Sequence, residues 1–565
     1  SSDLYNLPIM KFHISSKALS ILGEKRQLSP LSNYLDITYE SAHLLANNLQ
    51  GVKSPDSKEG IYGSELYVIG LINEIFHNLM SSYLEKSYPD CLHELWKDIN
   101  SNFTENEINN LLTQYLLEFP PEDTNISDIE SKKYISENIA QSEFQSWILK
   151  EIIFQWVENE NPAYQPYHVL FSNETYSQNE SYSKLIKTIG VFFSKVPPLH
   201  ETEFSLFEVF QQPSKNEPES ILAQLQWIME NLGEHLGHFN LKMLRGLDFL
   251  KEDHKFRGDG PGPPQILSFG DEDYEAYSKD ADWMPNVIIM AKNIYVWLVQ
   301  LSKVYNRKLT KLSDIPDEEL DKLANSGFTS LWLIGIWERS PSSKRIKQLC
   351  GNQDAESSAY ALFDYKVAWN LGGDTSLADL DNRCNSRGIK LACDMVPNHT
   401  GIDSKWSREH PEWYIQNDHP PFPSYSFNGE NLSSDENIGI YLEDHYYSQT
   451  DAAVVFKRVD NRNGDTRFIY HGNDGTSMPW NDTAQLNYLM PEVREAVIKT
   501  IIGLAKQFRI IRFDAAMTLA KKHFQRLWFP QPGTGSDIAS RSIHGVDKAE
   551  FDQIFPVEFW REVVD

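Results

Sequence analysis

Through the first 257 residues apolar positions return every three or four places, the period of a helix with one buried face. Residues 64–86 put Leu66, Ile69, Ile72, Phe76, Leu79 and Tyr83 on one stripe. Residues 144–157 repeat the pattern, as do residues 221–232, which Gly233 stops. Polar stretches rich in Ser, Asn and Glu around 53–60, 120–135 and 172–184 predict loops between helices. The pattern predicts an all-α N-terminal domain over 1–257, without a repeat of fixed period.

The run Gly258-Asp-Gly-Pro-Gly-Pro-Pro264 can sustain neither helix nor central strand, so 258–270 is expected to be a linker. Beyond it the period changes. Ile294–Val299 is a buried-strand candidate, and Ser313/Asp314 ahead of Pro316 opens a helix that Gly327 closes. Strand 328–334 follows, then helix 376–387 with Gly388 as its stop, and strand 389–396. A third cycle pairs helix 491–506 with strand 508–513. Near-continuous apolar strands alternating with helices predict a parallel sheet covered by helices, the α/β class. The long excursion 399–490 demands a small inserted domain of its own. Four strands make half of a TIM-type (β/α)8 barrel, so residues 271–565 are read as its N-terminal part with an insertion at about 400–490.

Composition narrows the partners. The chain of 565 residues carries 52 Lys+Arg against 80 Asp+Glu, a net charge of −28, which opposes nucleic acid and an anionic membrane surface and suits a neutral substrate. Its 4 cysteines are scattered without a Cys-x-x-Cys pair, so neither a disulfide framework nor a zinc ribbon is expected, and reduced thiols fit a cytoplasmic location. No apolar run approaches the roughly 18–20 residues that span a bilayer.

In parallel barrels the reactive groups stand where strands end at their C-terminal face. One strand here ends Asp394-Met-Val-Pro-Asn398-His399, another Arg512-Phe-Asp514. Alternation puts Arg512 and Asp514 on one face, where a guanidinium orients a carboxylate. A retaining glycosidase needs such a carboxylate as nucleophile and a second, protonated carboxyl roughly 5 Å away. His399 is placed to donate to a sugar hydroxyl, and Tyr360 to offer a pyranose ring a stacking face.

Together these motifs resemble glycoside hydrolase family 13, the α-amylase family, over about residues 285–530. Residues 327–335 resemble that family's second strand, and Tyr360-Ala-Leu-Phe-Asp364-Tyr365 its Gly-Tyr-x-x-x-Asp-Tyr element. Asp394-x-Val-x-Asn398-His399 is similar to its first conserved region, Arg512-x-Asp514-Ala515 to its second, and Gln485-Leu-Asn487 to the short motif closing the inserted B domain. The resemblance implies a retaining glycosidase or transglycosylase acting on α-glucans or oligosaccharides. It makes Asp514 the nucleophile, Arg512 its partner, and His399, Tyr360 and Asp364 the lining of the sugar site. It also makes Asn398 a candidate calcium ligand, although no cofactor is required. Met517 and Thr518 stand where amylase-type members carry Lys-His, and Gln485 where an acidic residue is common, so the calcium expectation is weaker here.

The acid/base is expected outside the chain. Glu558 is the one late glutamate preceded by apolar residues, but Pro556-Val-Glu-Phe-Trp-Arg-Glu predicts a helix start better than a strand end. Lys521-Lys522-His523 is expected on a solvated helix face, Asp394 in a structural role, and most aromatics of the insertion (Trp406, Trp413, Tyr414, Phe422, Tyr425, Phe427, Tyr446, Tyr447, Trp480) in its core. Two rivals stand beside the enzyme: a half barrel that binds glycan or protein without catalysis, and a phosphate-binding barrel, which the charge and the lack of a Gly-rich phosphate loop oppose. The N-terminal domain is expected to pack or to mediate oligomers.

Overall fold

A computed structural model describes residues 10–23, 34–50, 60–122, 128–199, 202–233, 236, 239–253, 283–422, 424–448, 450–476 and 478–565. The expected linker 258–270 lies outside the described residues, as does nearly all of the loop expected at 53–60. Two compact units divide the chain, one of residues 1–255 with 422–424 and the other of 256–421 with 425–565.

The first unit is built around helix Gly63–Lys86. Its predicted stripe is buried throughout, and so are Tyr67, Val68, Leu71 and Ile75, because helices Tyr39–Gln50, Ile221–Leu232 and Asn240–Asp253 surround it. A side chain at Gly246 would meet Leu71, Val68 and Leu225 at 3.3 Å, so glycine permits the close helix crossing there. Three expectations need correction. The unit is not purely helical, since β1 (Met10–His13) and β2 (Tyr34–Ile37) pair antiparallel. The polar stretch 120–135 contains the start of helix Asp128–Asn138, and 172–184 contains helix Glu174–Ser177 and the start of Glu180–Phe193. In the last of these the polar residue serves the helix, for the Asn179 side chain accepts from the Ser181 N–H at 3.0 Å.

The second unit carries a parallel sheet of β3 (Ile289–Asn293), β4 (Ser330–Ile334), β7 (Lys390–Met395) and β14 (Ile510–Phe513), neighbours in that order. Helices Asp317–Asn325, Gly373–Asn385 and Pro491–Ala505 lie between successive strands in the sequence. Gly327 and Gly388 follow two of them at φ of 86° and 75°, and a Cβ on either would meet nothing within 4 Å, so each supplies conformation rather than space.

Ile294–Val299 is helix, not strand. The strand ends at Asn293, whose side chain accepts from the Val296 N–H at 3.3 Å and caps helix Ile294–Val304. The apolar run buries Ile294, Trp297, Leu298 and Leu301, a helical spacing, and leaves Val296 and Val299 exposed.

Short β5 (Trp337–Arg339) and β6 (Leu362–Val367) pair antiparallel beside this sheet. The excursion folds as β8 (His399–Gly401), β9 (Gln416–Asn417), β10 (Ile438–Leu442), β11 (Val455–Asp460), β12 (Thr466–Tyr470) and β13 (Thr483–Gln485). Four of these form an antiparallel sheet in the order β10-β11-β12-β9, while β13 pairs with β8. Of the excursion's nine named aromatics only Tyr414, Phe422 and Tyr425 are buried, so most are not core. Among the described residues no helix is long and apolar enough to cross a membrane.

Candidate functional site

Parallel pairing of β7 with β14 sets Asp394 opposite Arg512. Alternation then carries Asp514 to the same face, where its backbone N–H donates to the Met395 carbonyl at 2.8 Å. The guanidinium binds both carboxylates, Nη1 to Asp394 Oδ1 at 3.0 Å and Nη2 to Asp514 Oδ1 at 2.7 Å. Two rings hold it from the sides, Trp332 of β4 with its centroid 5.1 Å away and Tyr360 at 5.7 Å. Asp394 is buried and Asp514 is partly open to solvent. Burial raises the Asp394 carboxyl above its ordinary range, with Arg512 opposing and Asp514 adding to the rise. Asp394 is thus part of the cluster as the buried partner that holds Arg512.

Ala515, directly after Asp514, sits at φ 52°, the left-handed region that costs a non-glycine residue about 1 kcal/mol. The chain turns there from the strand into the short helix Ala516–Leu519.

His399 starts β8 and is buried, its ring 4.9 Å from that of Trp480. Burial pushes its imidazole down to about 4, with the Tyr360 backbone carbonyl opposing, so it is neutral at pH 7. The Asn398 amide donates to Nδ1 at 3.3 Å, which leaves the proton on Nε2. Tyr360 therefore touches both Arg512 and His399 and links the two strand ends.

Asp364 is not brought to this cluster. Its Oδ1 accepts from the Tyr365 N–H at 2.9 Å, its Oδ2 meets Lys366 at 3.3 Å, and it lines a separate cavity of about 440 Å³ with Arg408 and Asp435. Neighbouring Tyr365 does reach the strand end, because its hydroxyl accepts from the Val396 N–H at 2.8 Å.

Asn398 does not fit a calcium site. Its Oδ1 accepts from Gln485 Nε2 at 2.9 Å and its Nδ2 donates to Gln485 Oε1 at 3.1 Å, a closed pair of neutral amides. Calcium takes mostly carboxylate and carbonyl oxygens, and among the described residues no group of three His, Cys, Asp or Glu is placed to hold a metal.

Glu558 precedes helix Phe559–Val564 and accepts the Lys521 N–H at 2.9 Å, so it stands at helix starts rather than at a strand end. The expectation of a solvated 521–523 face fails at His523, which is buried and pushed down to about 4. Lys521 pairs with Asp552 at 2.5 Å.

The family model described as alpha amylase, catalytic domain, matches residues 312–472. Residues 312–472 are thus similar to the catalytic domain of the α-amylase family. It contains Tyr360, Asp364, Asp394, Asn398 and His399, whereas Arg512 and Asp514 lie beyond it. An alpha-glucosidase of Candida albicans is 31% identical over 154 residues, 23% of this chain and 24% of that protein. A glucan 1,6-alpha-glucosidase of Streptococcus dysgalactiae subsp. equisimilis is 30% identical over 132 residues, 22% of each chain. The matches thus span about a quarter of those relatives' lengths. A crystal structure of an alpha-amylase from Lactobacillus plantarum is similar at 17% identity, covering 42% of this chain and 40% of that one with a TM-score of 0.25. At that score the architecture rests on this chain's own strands. The matched stretch supplies the histidine, the tyrosine and the buried aspartate, and β14 adds the arginine and the second aspartate.

Trp332 was missed in the sequence because it sits in a run that looks wholly like core, and Asp394 was found in its motif without its partner Arg512. Aligning the ends of β7 and β14 would have placed Asp394 against Arg512.

Proposed function

We propose that the chain carries the nucleophile half of a retaining glycosidase or transglycosylase acting on α-glucosidic bonds of α-glucans or oligosaccharides. The observation that carries the reading is Arg512 bound to both Asp394 and Asp514 at the C-terminal ends of parallel strands, with Tyr360 on its face. A guanidinium held on two sides by rings fixes the orientation of Asp514, which is what attack on an anomeric carbon requires. One Asp514 oxygen bonds to that carbon as the glycosidic C–O bond breaks, and the leaving oxygen takes a proton from an acid. The β-glycosyl ester then passes to water or to another sugar hydroxyl, which returns the proton to the same acid. Neutral His399 lines the site without adding a second cation beside Arg512.

The same reading takes the four parallel strands as consecutive strands of a (β/α)8 barrel and the excursion as its B domain. Adjacent strands in chain order support it. So does the edge at β3, where Ile288 and Ile289 are 54% and 43% exposed among the described residues, a face suited to a further strand. The acid is assigned to sequence outside these 565 residues, since Glu558 accepts the Lys521 N–H at a helix start. The name of the Streptococcus relative makes the 1,6-linkage the first to try.

The test follows the first-formed anomer by NMR when the natural full-length protein cleaves maltose or isomaltose. Release of the α-anomer supports the reading. Release of the β-anomer contradicts retention, and glycan binding without turnover would favour the non-catalytic half barrel.

A further inference from the structure

The N-terminal unit holds a cavity of about 260 Å³ whose chemistry is unlike that of a packing defect. Helix Ser142–Glu160 faces it with Glu151, Phe154, Gln155 and Glu158, the one-face spacing that in a helical bundle is ordinarily apolar. Helix Gly63–Lys86 adds Asn73, Glu74 and His77. Gln155 is 4% exposed, and its Nε2 donates to the Phe171 carbonyl at 2.8 Å while its Oε1 has no donor. The same holds for Asn73 Oδ1, although Nδ2 of that amide donates to Glu158 at 2.8 Å, and for Glu74 Oε2, although its other oxygen binds Lys242 at 2.6 Å. All three buried atoms without a partner are acceptors. They ask for a ligand that brings hydrogen-bond donors.

Charge narrows the class. Glu74, Glu122, Glu151 and Glu158 line the cavity against two imidazoles, His77 and His13, the latter 2.5 Å from Glu151, and burial, with the Glu151 charge adding, drives the Glu158 carboxyl well above its ordinary range. A cation seated there would remove that penalty. Phe119 and Phe154 line the cavity as well, Phe154 against the His77 ring at 4.0 Å and Phe119 edge-on to His13 at 5.4 Å, and present carbon to methylene groups. The volume lies below the roughly 300–1,000 Å³ of sites for drug-sized ligands.

We propose that this cavity is a binding site for a small aliphatic diamine or polyamine, whose ammonium groups donate to Glu158, Glu74, Asn73 and Gln155 and whose methylenes lie on Phe119 and Phe154. The site belongs to the first unit alone and is independent of the glycosidase reading.

Titration calorimetry of the full chain with 1,4-diaminobutane and with spermidine tests it. The expected result is a saturable single-site heat, weakened at least tenfold by Glu158→Gln and by Gln155→Leu and unchanged by Glu105→Gln on an exposed helix start. Absence of saturable heat overturns the proposal. So does equal weakening by Glu105→Gln, which would mark attraction to net charge only, or competition by maltose, which would mark a sugar site. Hydrogen exchange on the unaltered chain guards against misfolded variants. Amides of 142–160 are expected to exchange at least tenfold more slowly with diamine present, and unchanged exchange would count against the site.

Discussion

Arg512 does the most to organise its surroundings, because it neutralises one buried carboxylate and orients a second that is open to solvent. Removing it strands Asp394. For a fully buried pair such a loss costs about 3–5 kcal/mol, but Arg512 is 40% exposed, so Arg512→Met is expected to cost nearer 1–2 kcal/mol after solvent screening. Urea unfolding at pH 7 checks this, and a loss under about 0.3 kcal/mol would mean the pair is ornamental. In the full-length protein Asp514→Asn is expected to lower kcat by on the order of 10³-fold or more with a small change in KM. At this scale the sequence was informative where a residue type is chemically unusual for its place. Arg512, Asp514 and His399 interrupt apolar strand ends and could be found, whereas Asp364 looks identical in sequence and turns to a different cavity with Lys366. Side-chain direction after a strand end depends on backbone turns that one motif does not specify.

At the scale of elements, β8, β13 and the Gly472 backbone pack tightly around His399. A Cβ at Gly472 would lie 2.7 Å from Thr483 Oγ1 and 3.0 Å from His399 Cγ, inside normal contact. Gly472→Ala is expected to destabilise by roughly 1–3 kcal/mol, the range for overpacking, and to shift the tryptophan fluorescence, because Trp480 rests on the same ring. Unchanged emission and stability would show that the strands yield freely. Elements with both a stop and a periodic face were legible: Ile221–Leu232 and Pro491–Ala505 follow the pattern closely. Ile294–Val304 misled because its uninterrupted apolar run suits a buried strand or a helix equally, and the deciding mark was the cap at Asn293. The helix at Asp128 was hidden by polar composition, since a helix that buries few residues needs few apolar ones, and the one at Glu180 by its polar first turn, although it goes on to bury Leu185, Ile189 and Phe193.

Across the second unit three imidazoles, His399, His471 and His523, are pushed down to about 4, each chiefly by burial. An unfolded imidazole titrates near 6.5, so the unfolded chain binds more protons between the two values. Stability is then full above about pH 6.5 and falls as the pH drops toward 4, by up to about 1.4 kcal/mol per pH unit for each such group. His471→Asn keeps a donor toward the Thr483 carbonyl and cannot titrate, so it is expected to flatten this slope by about a third. An unchanged slope would assign the acid sensitivity elsewhere. On the same scale, Ile288 and Ile289 at the β3 edge and Val296, Val299 and Val304 on the following helix are exposed. The 565-residue chain is therefore expected to bind a hydrophobic dye and to associate at micromolar concentration, and a dye-silent monomer would show that edge to be covered.

Asp514, proposed as the nucleophile, is open to covalent trapping. An activated fluoro-glucoside, which leaves a long-lived β-glycosyl ester, incubated with the natural full-length protein and followed by peptide mapping, tests it most directly. One added fluoroglucosyl group is expected on the peptide holding Asp514, absent from Asp514→Asn. A label on another carboxylate, or sustained hydrolysis by Asp514→Asn, would contradict it.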